Sequence, residues 1–241
     1  MICLNNIKNS ILHKDPFDHI VVDNFFTDSV ARVLSNQFPI SSDFWHHYNN
    51  KIENKKVCNH WDRFPKETYQ AFWELLSTDF AKCLSEKFKT NLIPDIGLNG
   101  GGWHLHGNGG KLNVHKDYSS HPKLNFQRKL NIIIYLSEVW EKSWNGHLEL
   151  WSDCDQQPKE CDKVVEIKFN RAVIFDTTQN SWHGLPETIR CPEDVYRKSI
   201  AVYYLTEKDE KTDSRYRALF APHKEQKEDQ QVLNLIKERS K

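Results

Sequence analysis

His115-Lys116-Asp117 closes the run Lys111-Leu112-Asn113-Val114. On an extended strand, residues two apart share a face, so His115 and Asp117 point the same way and Lys116 points the other. One imidazole and one carboxylate make half of a metal site, and an H-x-D pair alone arises often by chance. The third ligand has to come from a distant strand. His183, in Ser181-Trp182-His183-Gly184, follows the apolar run Ala172-Val173-Ile174-Phe175, far enough along the chain for several strands to bring it back. Two histidines and one carboxylate form the facial set that suits non-haem iron(II) and leaves positions open on the metal. Those positions would take the keto-acid end of 2-oxoglutarate and dioxygen. Further on, the run Arg197-Lys198-Ser199-Ile200-Ala201-Val202-Tyr203-Tyr204 alternates so that Arg197, Ser199, Ala201 and Tyr203 share one face. An arginine beside a serine on an interior face is suited to clamp the far carboxylate of such a keto acid. Tyr135, in Asn131-Ile132-Ile133-Ile134-Tyr135, shares a face with Asn131 and is placed to donate to the same group, so Tyr135 and Asn131 join the candidates. Taken singly, His115 and His183 read as ordinary polar residues, Arg197 as a surface cation and Tyr135 as core. Their conjunction is what points to chemistry.

These residues need strands to carry them, and the second half of the chain supplies them. From Ile96 the glycines cluster and short β-type runs alternate with turn residues. The runs are Lys111–His115, Lys129–Leu136, His147–Trp151, Val164–Phe169, Ala172–Phe175 and Arg197–Leu205. Many short strands separated by turns predict a mainly β fold, as a sandwich, jelly roll or barrel. The first 95 residues read differently. Phe17–Phe26 is apolar and β-branched and predicts a strand; Thr27 then offers a helix cap, with Val30, Val33, Leu34 and Phe38 at helical spacing before Pro39. Pro65 opens a second helical stretch through Phe72, Leu75 and Leu76. Ser77-Thr78-Asp79 is placed to end it and start a helix bearing Phe80, Cys83, Leu84 and Phe88. Helices that precede the strands are expected to pack on the outside of the sheet. Residues 41–64 hold few aliphatics and many aromatics and polar groups, so they read as a long loop, either a substrate-facing lid or a plain exposed excursion. The organisation expected is a single domain over 1–241. An N-terminal region occupies about 1–95, a strand-rich core about 96–206 and a charged tail about 207–241, with a last helix through Val232, Leu233, Leu235 and Ile236.

Composition narrows the partners. The 33 basic residues balance 33 acidic ones, which gives no general attraction for nucleic acid or an anionic membrane surface. No apolar stretch approaches the roughly 20 residues of a membrane-spanning helix. Met1 to Phe17 is too interrupted by polar residues for a signal peptide. The cysteines at 3, 58, 83, 154, 161 and 191 form no C-x-x-C pair. The expectation is reduced thiols and a cytoplasmic location. The 12 histidines are more than a fold needs, and spacing rather than number singles out those above.

From Gly100 to Thr206 the chain resembles the 2-oxoglutarate/Fe(II) oxygenases of the prolyl-4-hydroxylase-like superfamily. The resemblance is carried by Gly100-Gly101-Gly102-Trp103-His104, by Gly109-Gly110-Lys111 running to His115-Lys116-Asp117, and by Arg128-Lys129-Leu130-Asn131 running to Tyr135. It continues in Gly146-His147-Leu148-Glu149-Leu150-Trp151, Asn170-Arg171, Ser181-Trp182-His183-Gly184 and Arg197-Lys198-Ser199. The resemblance implies a double-stranded β-helix (jelly-roll) core with N-terminal helices packed on its outside and iron near one open end. It further implies iron(II), 2-oxoglutarate and dioxygen as reactants, with ascorbate as a reductant, and hydroxylation of an unactivated C–H bond. The substrate implied is a prolyl residue, a free amino acid or another small metabolite. Relatives commonly carry a tyrosine a few residues before the first iron histidine; here the region reads His104-Leu105-His106. Related halogenases replace the carboxylate ligand with a small residue, and Asp117 argues against that chemistry.

Two other classes fit some of the residues. A non-catalytic jelly-roll module could retain the ligands for binding alone, and a zinc hydrolase could use the same three ligands with an activated water. The intact ligands, Arg197 and Ser199 argue against the first, which would be a metal- and 2-oxoglutarate-binding module, and the second has no need of Arg197 and Ser199.

Overall fold

Helices come early in the chain and strands dominate after them. A computed structural model describes residues 1–210 and 212–240. In chain order its elements are α1 (Leu4–Asn9), β1 (His19–Val22), α2 (Asp28–Asn36), β2 (His46–Asn49), β3 (Glu53–Cys58), α3 (Lys66–Leu75), α4 (Thr78–Phe88), β4 (Ile93–Pro94), β5 (Gly102–His106), β6 (Lys111–Lys116), β7 (Phe126–Tyr135), β8 (Leu148–Cys154), β9 (Gln157–Val165), β10 (Ala172–Asp176), β11 (Trp182–Leu185), β12 (Arg197–Glu207), β13 (Leu219–Phe220) and α5 (Gln230–Arg239). The strands pair in the order β1-β10-β7-β12-β5-β3-β6-β11-β8-β9, with β13 on β6, β2 on β3 and β4 on β12. This is a nearly closed antiparallel jelly roll, the double-stranded β-helix expected, with α2, α3 and α4 covering one outer face.

Alternation along β7, β10 and β12 explains both faces. Ile132, Ile134, Ile174, Ile200, Val202 and Tyr204 point outward and pack against Leu34 of α2, Phe72 and Leu75 of α3, and Phe80 and Leu84 of α4. The odd-numbered residues Ile133, Tyr135, Val173 and Phe175 point inward and meet Leu148 and Leu150 of β8. Both faces are buried, which is why these strands read as continuous apolar runs and not as polar–apolar alternation. Each such side chain contributes roughly 1.5–3 kcal/mol on burial, so the helices hold the sheet that carries the site.

Several local expectations are refined. Ser77 caps α4, its hydroxyl accepting from the Phe80 amide at 3.2 Å. Thr27 occupies the cap position of α2 but makes no side-chain bond there. Residues 41–64 are not a loop: β2 and β3 form a hairpin, and β3 joins the barrel between β5 and β6. Its strands, His-His-Tyr-Asn and Glu-Asn-Lys-Lys-Val-Cys, lack an apolar face because one lies at an edge and the other faces a polar cavity. The strand expected at Val164–Phe169 lies earlier, as β9, whose exposed polar residues gave no apolar signal. The C-terminal helix is present as α5, which carries Val232, Leu233, Leu235 and Ile236; residues 211 and 241 of the expected charged tail lie outside the described residues.

Gly102 fixes how closely β5 approaches β3. Its φ is +90°, and a Cβ there would sit 2.1 Å from the Cys58 carbonyl oxygen. Backbone cannot yield as a flexible side chain would. Gly102→Ala is expected to cost at least about 3 kcal/mol, a fall of roughly 6–12 °C in Tm, checked by thermal unfolding against wild type.

Candidate metal centre

His115 and His183 are direct cross-strand partners in the β6–β11 pairing. Such a pair sets two side chains on one face within contact distance, and the imidazole centroids are 4.4 Å apart. His183 thus lies on a strand of its own; the four-residue segment Trp-His-Gly-Leu is too short to announce itself by alternation. Asp117 follows β6 by one residue and keeps the face of His115. Its Oδ1 lies 3.6 Å from His115 Nε2 and its Oδ2 lies 3.8 Å from His183 Nε2. All three ligand atoms lie within 4.8 Å of one another, and the three residues are buried. Among the described residues this is the one such group of histidine, cysteine and carboxylate side chains.

Backbone carbonyls orient both rings. His115 Nδ1 donates to the Asn113 carbonyl at 3.0 Å, and His183 Nδ1 donates to the Ser181 carbonyl at 2.9 Å. A carbonyl only accepts, so Nδ1 of each ring carries a proton, which leaves Nε2, on the side of Asp117, as the nitrogen available to a metal. Phe220 stacks on His115 at 5.2 Å and Phe175 meets His183 edge-on at 4.7 Å. Burial first, then the neighbouring His115, pushes the pKa of His183 down to about 4, so its imidazole is neutral at pH 7. Burial works against the Asp117 carboxylate, but Arg128 and the two imidazoles outweigh it and hold its pKa well below the usual carboxylate range. Two imidazoles and one carboxylate, aimed at a common point, are the donor set of an iron(II) site with open positions.

Arg128 is the functional candidate that sequence reasoning missed. Its guanidinium lies between the rings of Tyr118 and Tyr203, 3.4 Å from each centroid. It donates to the Asn99 carbonyl at 2.7 Å and pairs with Asp117 Oδ2 at 3.4 Å. Strict alternation would aim an even-numbered residue of β7 outward. The β7–β12 register shifts between the Leu130–Tyr204 and Arg128–Leu205 pairs. That bulge skips one residue and turns Arg128 inward. Nothing in the sequence marks the bulge.

Asn131 also serves Asp117. Its Nδ2 donates to Asp117 Oδ2 and to the Tyr203 hydroxyl, both at 3.3 Å. The sequence places Asn131 with the carboxylate clamp; in the structure its amide bonds to Asp117, one of the three candidate ligands. Donors behind a metal ligand fix its rotamer, and their loss typically lowers metal affinity about 10- to 100-fold. Asn131→Ala is expected to show that loss in a competition titration with a chromophoric chelator, with little change in Tm.

Arg197 and Ser199 line the same cavity, a space of about 220 Å³. Arg197 is 2% exposed. It donates through Nε to the Gly146 carbonyl at 2.9 Å and through Nη1 to Ser199 Oγ at 3.2 Å. It also lies 4.9 Å from the centre of the Tyr135 ring. Burial pulls its pKa down, and it forms no ion pair with a carboxylate among the described residues. The hydroxyl of Tyr135 and both ring nitrogens of His106 are buried with no hydrogen-bond partner among the described residues. His106 is the cross-strand partner of Arg197, and His104 that of Ser199. Burial, then Lys55 and Arg197, pushes His104 down to about 3 and His106 well below its ordinary value. A buried cation with unpaired donors around it fits a small dianion, so the residues present suit both the metal and 2-oxoglutarate.

Comparison with known proteins gives a consistent picture. Residues 101–206 match the model of the 2OG-Fe(II) oxygenase superfamily. Mouse Prolyl 3-hydroxylase OGFOD1 is 26% identical over 196 residues, which is 80% of this chain and 33% of that protein. The chain therefore spans about a third of the length of this curated relative. A Pseudomonas putida prolyl-4-hydroxylase superposes with a TM-score of 0.58 at 12% identity, covering 86% of this chain and 97% of that one. HygX from Streptomyces hygroscopicus, solved with nickel, 2-oxoglutarate and hygromycin B, gives a TM-score of 0.53 at 8% identity over 78% of this chain and 82% of its own.

Proposed function

We propose that this chain, whose residues 101–206 match the 2OG-Fe(II) oxygenase superfamily, is a hydroxylase. Its reactants are 2-oxoglutarate, dioxygen and a C–H substrate; its products are succinate, carbon dioxide and the hydroxylated substrate. The observation that carries this reading is the convergence of His115, Asp117 and His183 in one cavity with the buried Arg197. In it, His115, Asp117 and His183 hold iron(II), which when bound supplies the activation of dioxygen. Arg197 and Ser199 take the far carboxylate of 2-oxoglutarate, and the Tyr135 hydroxyl donates beside them. Asn131 and Arg128 keep the Asp117 carboxylate turned toward the metal. The barrel wall keeps water from the reacting groups. The whole chain acts as one domain, with the catalytic core at 96–206, the N-terminal helices supporting it and the C-terminal segment closing one side of the entrance. No described helix is long and apolar enough to cross a membrane.

A zinc hydrolase would need no buried arginine clamp, which favours the oxygenase. The relatives' names span prolyl hydroxylases and a complex with hygromycin B, so likeness alone does not select among a prolyl residue, an amino acid and a small metabolite. The test is succinate release with iron(II), 2-oxoglutarate and ascorbate under air, including the slow uncoupled turnover that needs no substrate. Succinate in proportion to iron-loaded protein is expected. Its absence from fully metallated protein would favour the non-catalytic binding module.

A further inference from the structure

The entrance to the metal cavity carries a charge arrangement for which the metal and the keto acid have no use. On one side the hairpin offers Tyr48 from β2 and Glu53 and Lys55 from β3; on the other, α5 brings Arg239. Glu53 is 1% exposed, and its two oxygens meet different cations. Oε1 lies 2.6 Å from Arg239 Nη2, and Oε2 lies 3.3 Å from Lys55 Nζ. Each cation also lies 5.3 Å from the centre of the Tyr48 ring. The arrangement is held by packing, since Val232 of α5 is buried with Ile52 and Phe220, and Leu235 and Ile236 pack against them. One carboxylate neutralises one of the two cations and leaves the other in excess.

The whole cavity shows the same imbalance. Lys55, Arg128, Arg197 and Arg239 stand against Glu53 and Asp117, four cations to two carboxylates. A divalent iron and a dianionic keto acid cancel each other and leave the excess of two positive charges untouched. His104 and His106 do not alter the count, because burial favours their neutral forms. A recessed space with low-dielectric walls and an unbalanced charge concentrates ions of the opposite sign. Cations placed there without full compensation carry a desolvation cost that an arriving anion offsets.

We propose that the substrate is an acid, whose carboxylate or phosphate sits at the rim between Lys55 and Arg239 while the carbon to be hydroxylated reaches the metal. The last clause rests on the hydroxylase reading; the anion-binding rim does not. The probes are acetate and inorganic phosphate, titrated calorimetrically into the full chain loaded with nickel(II) and saturated with 2-oxoglutarate. At least one of them is expected to bind, and the tighter of the two assigns a carboxylic or a phosphorylated substrate. Binding is expected to weaken about tenfold in Lys55→Gln and to return in Lys55→Arg. Arg239→Gln, checked for folding by circular dichroism, is expected to weaken it similarly. Failure of both anions to bind, or binding undiminished in Lys55→Gln, overturns the proposal. Competition of the bound anion with 2-oxoglutarate overturns it as well, since the anion would then occupy Arg197. No turnover is read in this experiment. A protein that binds the anion through Lys55 yet releases no succinate keeps the rim and loses only the hydroxylase reading.

Discussion

His183→Ala is expected to abolish 2-oxoglutarate turnover and to lower metal affinity by more than about 100-fold, beyond the range seen for residues that only support a ligand. The size follows from the geometry. His115 and Asp117 sit on or just after one strand and offer two adjacent donors; His183 supplies the third from the facing strand and turns an open pair into a facial set. With two donors the metal falls back on water, and the site no longer fixes which positions stay open. The ring also packs between His115 and Phe175, so some loss of Tm is expected too. That structural part is separated by comparing the metal-free proteins. A variant that unfolds at nearly the wild-type temperature without metal, yet fails to gain stability when metal is added, shows the ligand role. Metal affinity equal to wild type would remove His183 from the site.

Arg197→Ala is expected to raise the Kd for 2-oxoglutarate by roughly 30- to 1000-fold, equivalent to about 2–4 kcal/mol, the range for truncating one partner of a buried charge pair. The same substitution is expected to leave the empty protein nearly as stable as before, or more so. Arg197 is buried and forms no ion pair with a carboxylate among the described residues, and burial disfavours its charge. Removing an unpaired buried cation relieves a desolvation cost, offset by the lost bonds to the Gly146 carbonyl and Ser199. The two proteins are therefore expected to differ little in Tm alone and strongly once 2-oxoglutarate is added, because only the wild type gains stability from binding. Calorimetric titration with the co-substrate and thermal unfolding with and without it check both halves. An unchanged Kd would show that the guanidinium does not hold the keto acid.

Much of this site was legible because strands write their faces directly into sequence. His115 and Asp117 two apart, and Arg197, Ser199, Ala201 and Tyr203 on one side of β12, needed only period-two alternation, and they line one cavity. The outward set of Ile132, Ile134, Ile174, Ile200 and Val202 was visible as apolar runs, though not which helix each would meet. What alternation cannot show is where it breaks. Arg128 reaches Asp117 only because β7 bulges. Asn131 shares its face with Tyr135, yet it bonds to Asp117 and Tyr203, a choice made by neighbouring strands and not by its own. The hairpin at 46–58 reads as a loop in sequence because most of its residues face solvent or the polar cavity, so the usual hydrophobic signal of a strand is missing. Arg239 reaches the cavity from a helix at the far end of the chain, a contact no local pattern encodes.

The central claim is that three side chains from two paired strands hold one iron(II) with room for a chelating keto acid. Anaerobic titration of the purified full chain with iron(II) and then 2-oxoglutarate, followed by visible absorption, tests it most directly. The expected result is one iron per chain and a new charge-transfer band on adding the keto acid. The band should be lost in His183→Ala and should require far more co-substrate in Arg197→Ala. A wild-type protein that takes up iron yet gives no band, or a His183→Ala protein that gives a full one, would contradict the assignment.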